Sequence, residues 1–234
     1  DGWLETLLQS YFPTHEFSFR NLGFAGDEVK TRPRSASFGS PDQWLTKVRS
    51  DVVLCFFGYN ESLRGPEALP GFEKDLAAMI TAMRGQKYNG KSAPRLVVFS
   101  PIAHENLHSP NLPDGSENNK NLALYTGATR KVCESLKVTY VDLFALTQKL
   151  YSKSRQPLTI NGIHLKEHGN QLVAEGIMDV LFAGAGQTDR DSKRLRQLQS
   201  AIQDRNYYWF SRYRVVDGYN VFGGRSRLSW FGQS

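Results

Sequence analysis

The chain has 234 residues, 40% of them hydrophobic and 22% charged, enough for one substantial core and an extension. No apolar run approaches the roughly 20 residues of a membrane-spanning helix, so no membrane span is expected. The formal charge of +6 sits in the tail: from Arg190 onward nine Lys/Arg face three Asp/Glu, while residues 1–189 hold 20 of each sign.

Asp1-Gly2-Trp3-Leu4-Glu5 opens without a Met, carries no secretory leader pattern, and is already helical in character. It is read as part of a longer protein with neighbouring domains. Trp3, Leu4, Leu7, Leu8, Tyr11 and Phe12 have the i, i+3/i+4 spacing of an amphipathic helix over residues 2–12, stopped by Pro13. Glu16 to Leu22 alternates apolar and polar and predicts a strand ending at Gly23. Gly26 opens a polar loop through Arg32, Pro33 and Arg34. Ser40-Pro41-Asp42 then starts a short helix around Trp44, Leu45 and Val48.

Val52 to Phe57 is a continuous apolar, β-rich run, the pattern of a strand covered on both faces. After Gly58-Tyr59-Asn60-Glu61 and a Gly/Pro loop, a helix is predicted from about Phe72 to Met83. Arg95 to Ser100 is a second buried strand, followed by a long polar loop and a helix from about Asn118 to Leu136. Val138 to Leu143 is a third buried strand, Phe144 to Tyr151 a helix, and Lys166 to Phe182 another. Cys55 lies in the first apolar run and Cys133 in a helical pattern, so both read as buried free thiols, with a disulfide left open.

Strand and helix alternate, and the strands are too apolar to face water. The expected fold is α/β, a three-layer α/β/α arrangement around a parallel sheet, with residues 1–186 as the domain and 187–234 as a basic, aromatic extension. In such sheets the functional loops leave the carboxyl ends of the strands. Gly26, Asn60 and the loop after Ser100 each follow a predicted strand.

Asn161-Gly162-Ile163-His164 places an imidazole three residues after an amide oxygen. His164 suits a general base because its unperturbed pKa lies near neutrality, and Asn161 is placed to orient it. Asn60 offers a side-chain donor and Gly26 an unshielded backbone N–H, together a candidate oxyanion hole. His104-Glu105-Asn106-Leu107-His108 matches the zinc-protease pattern, but its chemistry requires a helix, and this stretch between Ser100-Pro101 and Ser109-Pro110 lacks helical periodicity. A rim position beside the site is the preferred reading of His104, and no metal or cofactor is expected.

Three blocks, in order, carry a resemblance. Asn21-Leu22-Gly23-Phe24-Ala25-Gly26-Asp27, Gly58-Tyr59-Asn60-Glu61 and Asn161-Gly162-Ile163-His164 resemble the second, third and fifth blocks of the SGNH/GDSL hydrolases. The likeness spans roughly residues 1–183. It implies a flavodoxin-like fold and an ester hydrolase acting on acyl or O-acetyl groups, carbohydrate esters among them. In that scheme His164 is the base, Asn161 its orienter, and Gly26 and Asn60 the oxyanion donors, with Tyr59, Glu61 and His104 bordering the substrate.

Phe56-Phe57-Gly58-Tyr59-Asn60-Glu61-Ser62 and Ser100-Pro101-Ile102-Ala103-His104-Glu105 are similar to a planctomycete-type subgroup whose members are often exported, which implies an exported or periplasmic setting. The sequence departs from the family at two places. The Gly-Asp-Ser block with the nucleophile is expected upstream of Asp1, and Asn161 stands where the family has Asp. In a serine-protease triad that Asp→Asn change costs about 10⁴ in kcat through the wrong imidazole tautomer. The alternative implied by both departures is a non-catalytic carbohydrate-binding or interaction module on the same fold.

Leu195, Leu198, Ile202 and Trp209 form one stripe of a helix from Arg190 to Tyr213. Interleaved aromatics and arginines there suit nucleic acid, but packing of the stripe on the domain is preferred, and no nucleic-acid partner is expected. Val221 to Ser226 reads as a chain interrupted within a domain.

Overall fold

The three continuous apolar runs form the sheet. In a computed structural model describing residues 2–34, 38–183 and 193–213, β1 (Val52–Phe56), β2 (Arg95–Phe99) and β3 (Thr139–Val141) lie side by side in that order, all parallel. Val52 to Phe56 pair with Arg95 to Phe99, and Val97 to Phe99 with Thr139 to Val141.

Alternation along each strand feeds two separate cores, which is why no strand has a polar face. Val53, Cys55, Leu96, Val98 and Tyr140 pack against α2 (Pro41–Lys47), α4 (Leu69–Arg84) and α5 (Ser116–Leu136) through Leu45, Phe72, Leu76, Ile80, Tyr125 and Val132. Leu54, Val97, Phe99 and Val141 meet the opposite layer, α6 (Leu143–Lys153) and α7 (Glu167–Leu181), through Leu143, Leu146, Val173 and Ile177. The result is the expected α/β/α layering. Cys55 and Cys133 are free and buried in the first core.

A single helical turn, α3 (Tyr59–Ser62), follows β1, and the boundaries of the longer helices follow local chemistry. Ser40 caps α2: its hydroxyl accepts from Gln43 N–H, the Gln43 side chain returns to Ser40 N–H, and Pro41 takes the first helical position. Asp142 caps α6 by accepting from Ala145 N–H.

The strand predicted over Glu16 to Leu22 is a correction. The segment has no regular secondary structure and pairs with no strand among the described residues. A strand exists only through a ladder with a neighbour, so alternation alone does not make one. The alternation still sets the sides: Phe17 and Phe19 are half-buried, Ser18 and Arg20 exposed. Aromatic contacts hold the segment instead, Phe12 to Phe17 and Phe17 to Phe19, with Arg20 over the Trp209 ring.

Helix α8 (Lys193–Tyr213) lies on α1 (Trp3–Tyr11). Leu195 joins Trp3, Leu7, Ala174 and Met178 in one cluster, and Ile202 is buried. Gly2 takes φ +72, and a Cβ there would meet Ile202 Cγ2 at 2.8 Å. Glu5 pairs with Arg205 and accepts from Asn206 Nδ2 at 3.1 Å. The stripe therefore packs on the domain, as preferred above. The Val221 to Ser226 segment lies outside the described residues.

Candidate active site

Asn161 and His164 sit at the tip of a tight loop. Ile160 N–H donates to His164 O, Lys166 N–H donates to Leu158 O, and Thr159 bridges Leu165 in antiparallel fashion. Gly162 turns the tip at φ +92, a conformation that other residues rarely adopt. Within it, Asn161 Oδ1 accepts His164 N–H at 3.1 Å and Ile163 N–H at 3.4 Å. The same oxygen lies 3.0 Å from His164 Nδ1.

Those two backbone donors fix which end of the amide faces the ring. An oxygen faces them, so His164 Nδ1 must donate to that oxygen, and the lone pair is left on Nε2. This is the tautomer an aspartate would impose. The mispairing expected of Asn depends on its NH2 group turning toward the ring, and here that turn would set the NH2 against two N–H groups. His164 itself is exposed.

The other two blocks meet separately. Asn60 Nδ2 donates to Asp27 O at 3.0 Å, which uses one of its two N–H bonds and leaves the second. Gly26 precedes Asp27 in the left-handed region at φ +80, and its exposed N–H has no acceptor among the described residues. Asp27 is held by a paired contact with Arg34, 2.8 Å on both oxygens, and accepts Phe24 N–H. No hydrogen bond joins the Gly26–Asn60 pair to the Asn161–His164 pair among the described residues. Asn118 Nδ2 lies 3.2 Å from His104 Nδ1, and His104 packs under Gly162. Tyr59 is half-buried against Ala103, Leu122 and Phe144, and burial raises its pKa.

Two residues expected at the substrate border lie beneath it. Glu61 is 3% exposed, and its oxygens accept Val29 N–H at 2.7 Å and Gly58 N–H at 3.0 Å, tying the loop after Gly26 to the turn after β1. His104 is 5% exposed; a Cβ at Gly162 would lie 2.3 Å from its Nε2, and one at Gly115 2.5 Å from its Cδ2. Both are therefore corrected from ligand contacts to supports.

The zinc-protease alternative fails on geometry. Residues 101–109 are irregular throughout, with His104 buried and His108 exposed at φ +51, so the i, i+4 face its chemistry needs does not exist. Glu105 is a buried carboxylate accepting three hydrogen bonds from Leu158 and Thr159. Adjacent apolar and acidic positions gave no sequence signal of this, because its partners are more than 50 residues away.

Ser100, Ser62 and the two cysteines are each engaged or protonated. Ser100 is buried, its Oγ accepting Phe144 N–H and donating to Pro101 O. Ser62 donates to Tyr59 O. Burial pushes the Cys55 thiol up to about 12 and the Cys133 thiol up to about 11, which keeps both protonated and unreactive near neutrality.

A model of the GDSL-like lipase/acylhydrolase family matches residues 1–172. The chain belongs to that family. Among curated proteins, GDSL esterase/lipase WDL1 of Oryza sativa subsp. japonica is 28% identical over 142 residues, covering 57% of this chain and 54% of the rice protein. The chain thus spans about half the length of that relative. Among solved structures, a catalytic mutant of Axe2, an acetylxylan esterase from Geobacillus stearothermophilus, superposes with a TM-score of 0.59 at 15% identity, over 80% of this chain and 82% of that one. LAE5, an alpha/beta hydrolase enzyme from the metagenome of Lake Arreo, Spain, gives 0.56 at 16% identity, over 76% and 78%. At such identities these two establish the shared fold.

Proposed function

We propose that this protein is an ester hydrolase of the SGNH type, acting on acyl or O-acetyl esters, with O-acetylated carbohydrate as the preferred class. The observation that carries the reading is the Asn161 oxygen held by two backbone donors, because it leaves Nε2 of His164 as the base. The acetylxylan esterases among the structural neighbours supply the substrate class, and family membership supplies the reaction type.

In this scheme Nε2 of His164 takes the proton of a serine hydroxyl as it attacks the ester carbonyl. The developing oxyanion accepts from Gly26 N–H and from the second N–H of Asn60. His164 then gives its proton to the leaving alcohol, and water repeats the sequence to release the acid. Tyr59 borders the substrate.

We assign the serine to a further strand beside β1. The outer edge of β1 has no partner among the described residues, and Val52 and Phe56 are 44% and 50% exposed there. An apolar open edge without charge, proline or bulge is one that proteins ordinarily cover.

Turnover of p-nitrophenyl acetate by the full-length protein tests the reading, with His164→Ala as control. Hydrolysis lowered at least about 10²-fold by the substitution is expected for loss of a general base. Equal rates would remove His164 from the mechanism, and no turnover by the native protein would leave the non-catalytic carbohydrate-binding module.

A further inference from the structure

The loop that carries Asn161 and His164 rests on one buried carboxylate. Glu105 is 6% exposed, yet no cation pairs with it among the described residues. Its Oε1 accepts Leu158 N–H at 3.0 Å, and its Oε2 accepts Thr159 N–H at 2.7 Å and the Thr159 hydroxyl at 2.6 Å. The Thr159 oxygen in turn accepts Gly162 N–H at 3.0 Å, and Glu105 N–H donates to Gly162 O at 2.9 Å. Both peptide groups of the turning residue are therefore fixed, one through Thr159 and one by the Glu105 backbone. Thr159 is fully buried, so water does not compete for these bonds.

We infer that Glu105, acting through Thr159, is the positioning residue that sets the Asn161–His164 geometry for catalysis. The inference rests on the ester-hydrolase reading for its catalytic meaning, while the positioning itself rests on the contacts above. A backbone N–H donor faces each oxygen, so the site requires an acceptor at both positions. A glutamine would turn its NH2 toward at least one N–H and leave a buried donor unpaired. The loop would relax about Gly162, and the Asn161 oxygen would lose the arrangement that keeps the proton on Nδ1. Glu105 touches neither base nor substrate. Its action passes through Thr159 and Gly162 to His164.

The chain of contacts also explains the neighbouring side chains. Asn119 clamps the backbone of His104, accepting its N–H and donating to its carbonyl, both at 2.8 Å. Thr147 accepts Ala103 N–H at 2.9 Å. The segment before Glu105 is thus anchored to α5 and α6, two rigid elements, and the carboxylate transmits that anchorage to an otherwise exposed loop.

The test uses the full-length protein with Glu105→Gln, Thr159→Val and Thr159→Ser. Thr159→Val keeps shape and burial but removes the relay oxygen, whereas Thr159→Ser keeps the oxygen. Three quantities are measured: kcat and KM for p-nitrophenyl acetate, the nitrogen-15 shifts of the His164 ring, and the thermal midpoint. Glu105→Gln and Thr159→Val are expected to lower kcat by about 10²-fold, the cost of a base displaced by about an ångström, with KM within about threefold. Their His164 ring nitrogens are expected to shift toward a mixture of tautomers, and Thr159→Ser to recover most of both kcat and the native shifts.

Unchanged ring shifts and kcat in Thr159→Val would overturn the inference, as would a Thr159→Ser protein damaged as badly as Thr159→Val. Should Glu105→Gln fail to fold, the two Thr159 variants decide. Should the native protein lack esterase activity, the functional reading falls, and the ring shifts alone decide whether Glu105 positions His164.

Discussion

In the proposed mechanism Asn161 is the residue on which activity turns, because it stands where the resemblance places an aspartate. Its effect depends on the orientation of the amide, not on charge alone. With Oδ1 held by His164 N–H and Ile163 N–H, the amide presents an acceptor to Nδ1 just as a carboxylate would. What is lost is the electrostatic stabilisation of the imidazolium that forms when Nε2 takes a proton. Asn161→Asp is therefore expected to keep the tautomer and raise kcat by up to about tenfold, since one charge-assisted hydrogen bond replaces a neutral one. Asn161→Leu, which removes the acceptor, is expected to lower kcat by about 10³-fold or more, the scale of a misoriented triad. Steady-state kinetics on the full-length protein checks both, and a faster Leu variant would contradict this account of the orienter.

At the scale of elements, the Asn161–His164 loop is a well-fixed piece of structure without regular secondary structure. It is fixed by the Thr159–Leu165 bridge, by the Asn161 turn and by Gly162 packed over His104. Gly162→Ala would place a Cβ 2.3 Å from His104 Nε2 in a backbone conformation of φ +92. His104 cannot give way easily, since Gly115 closes its other side and Asn119 holds its backbone. Strain of this kind costs about 1–3 kcal/mol before the clash is counted, so a fall in Tm of roughly 2–12 °C is expected for a chain of this size. Thermal unfolding measures it, and an unchanged midpoint would mean that His104 is free to move.

At the scale of the whole molecule, the basic helix α8 is part of the packing and not a loose tail. Leu195, in the first turn of α8, is 2% exposed against Trp3, Leu7 and Met178. Leu195→Ala is expected to destabilise by about 2–5 kcal/mol through lost burial and a residual cavity. Urea unfolding of the native and variant proteins tests it. A difference below about 0.5 kcal/mol would show that α8 contributes little to the fold. Since α7 joins α1 and α8 in the same cluster through Ala174 and Met178, destabilisation there would reach the element that follows His164.

The sequence by itself determined what short-range chemistry determines. Helical spacing set the helices, including the stripe of Leu195 and Ile202, and unbroken apolar runs set three parallel strands covered on both sides. Asn161 and His164 were legible as a pair because only three residues separate them and one turn closes the contact. The pairing of Asn60 with the Gly26 loop was legible only through the order of the blocks. What the tertiary structure decided depends on partners far along the chain. Glu16 to Leu22 has strand alternation but no ladder neighbour among the described residues, so its pattern alone did not make it a strand. Glu61 and Glu105 are charged residues that composition would set at a surface. They are buried because backbone donors 32 and 53 residues away converge on them, and no local pattern announces a convergence of that range.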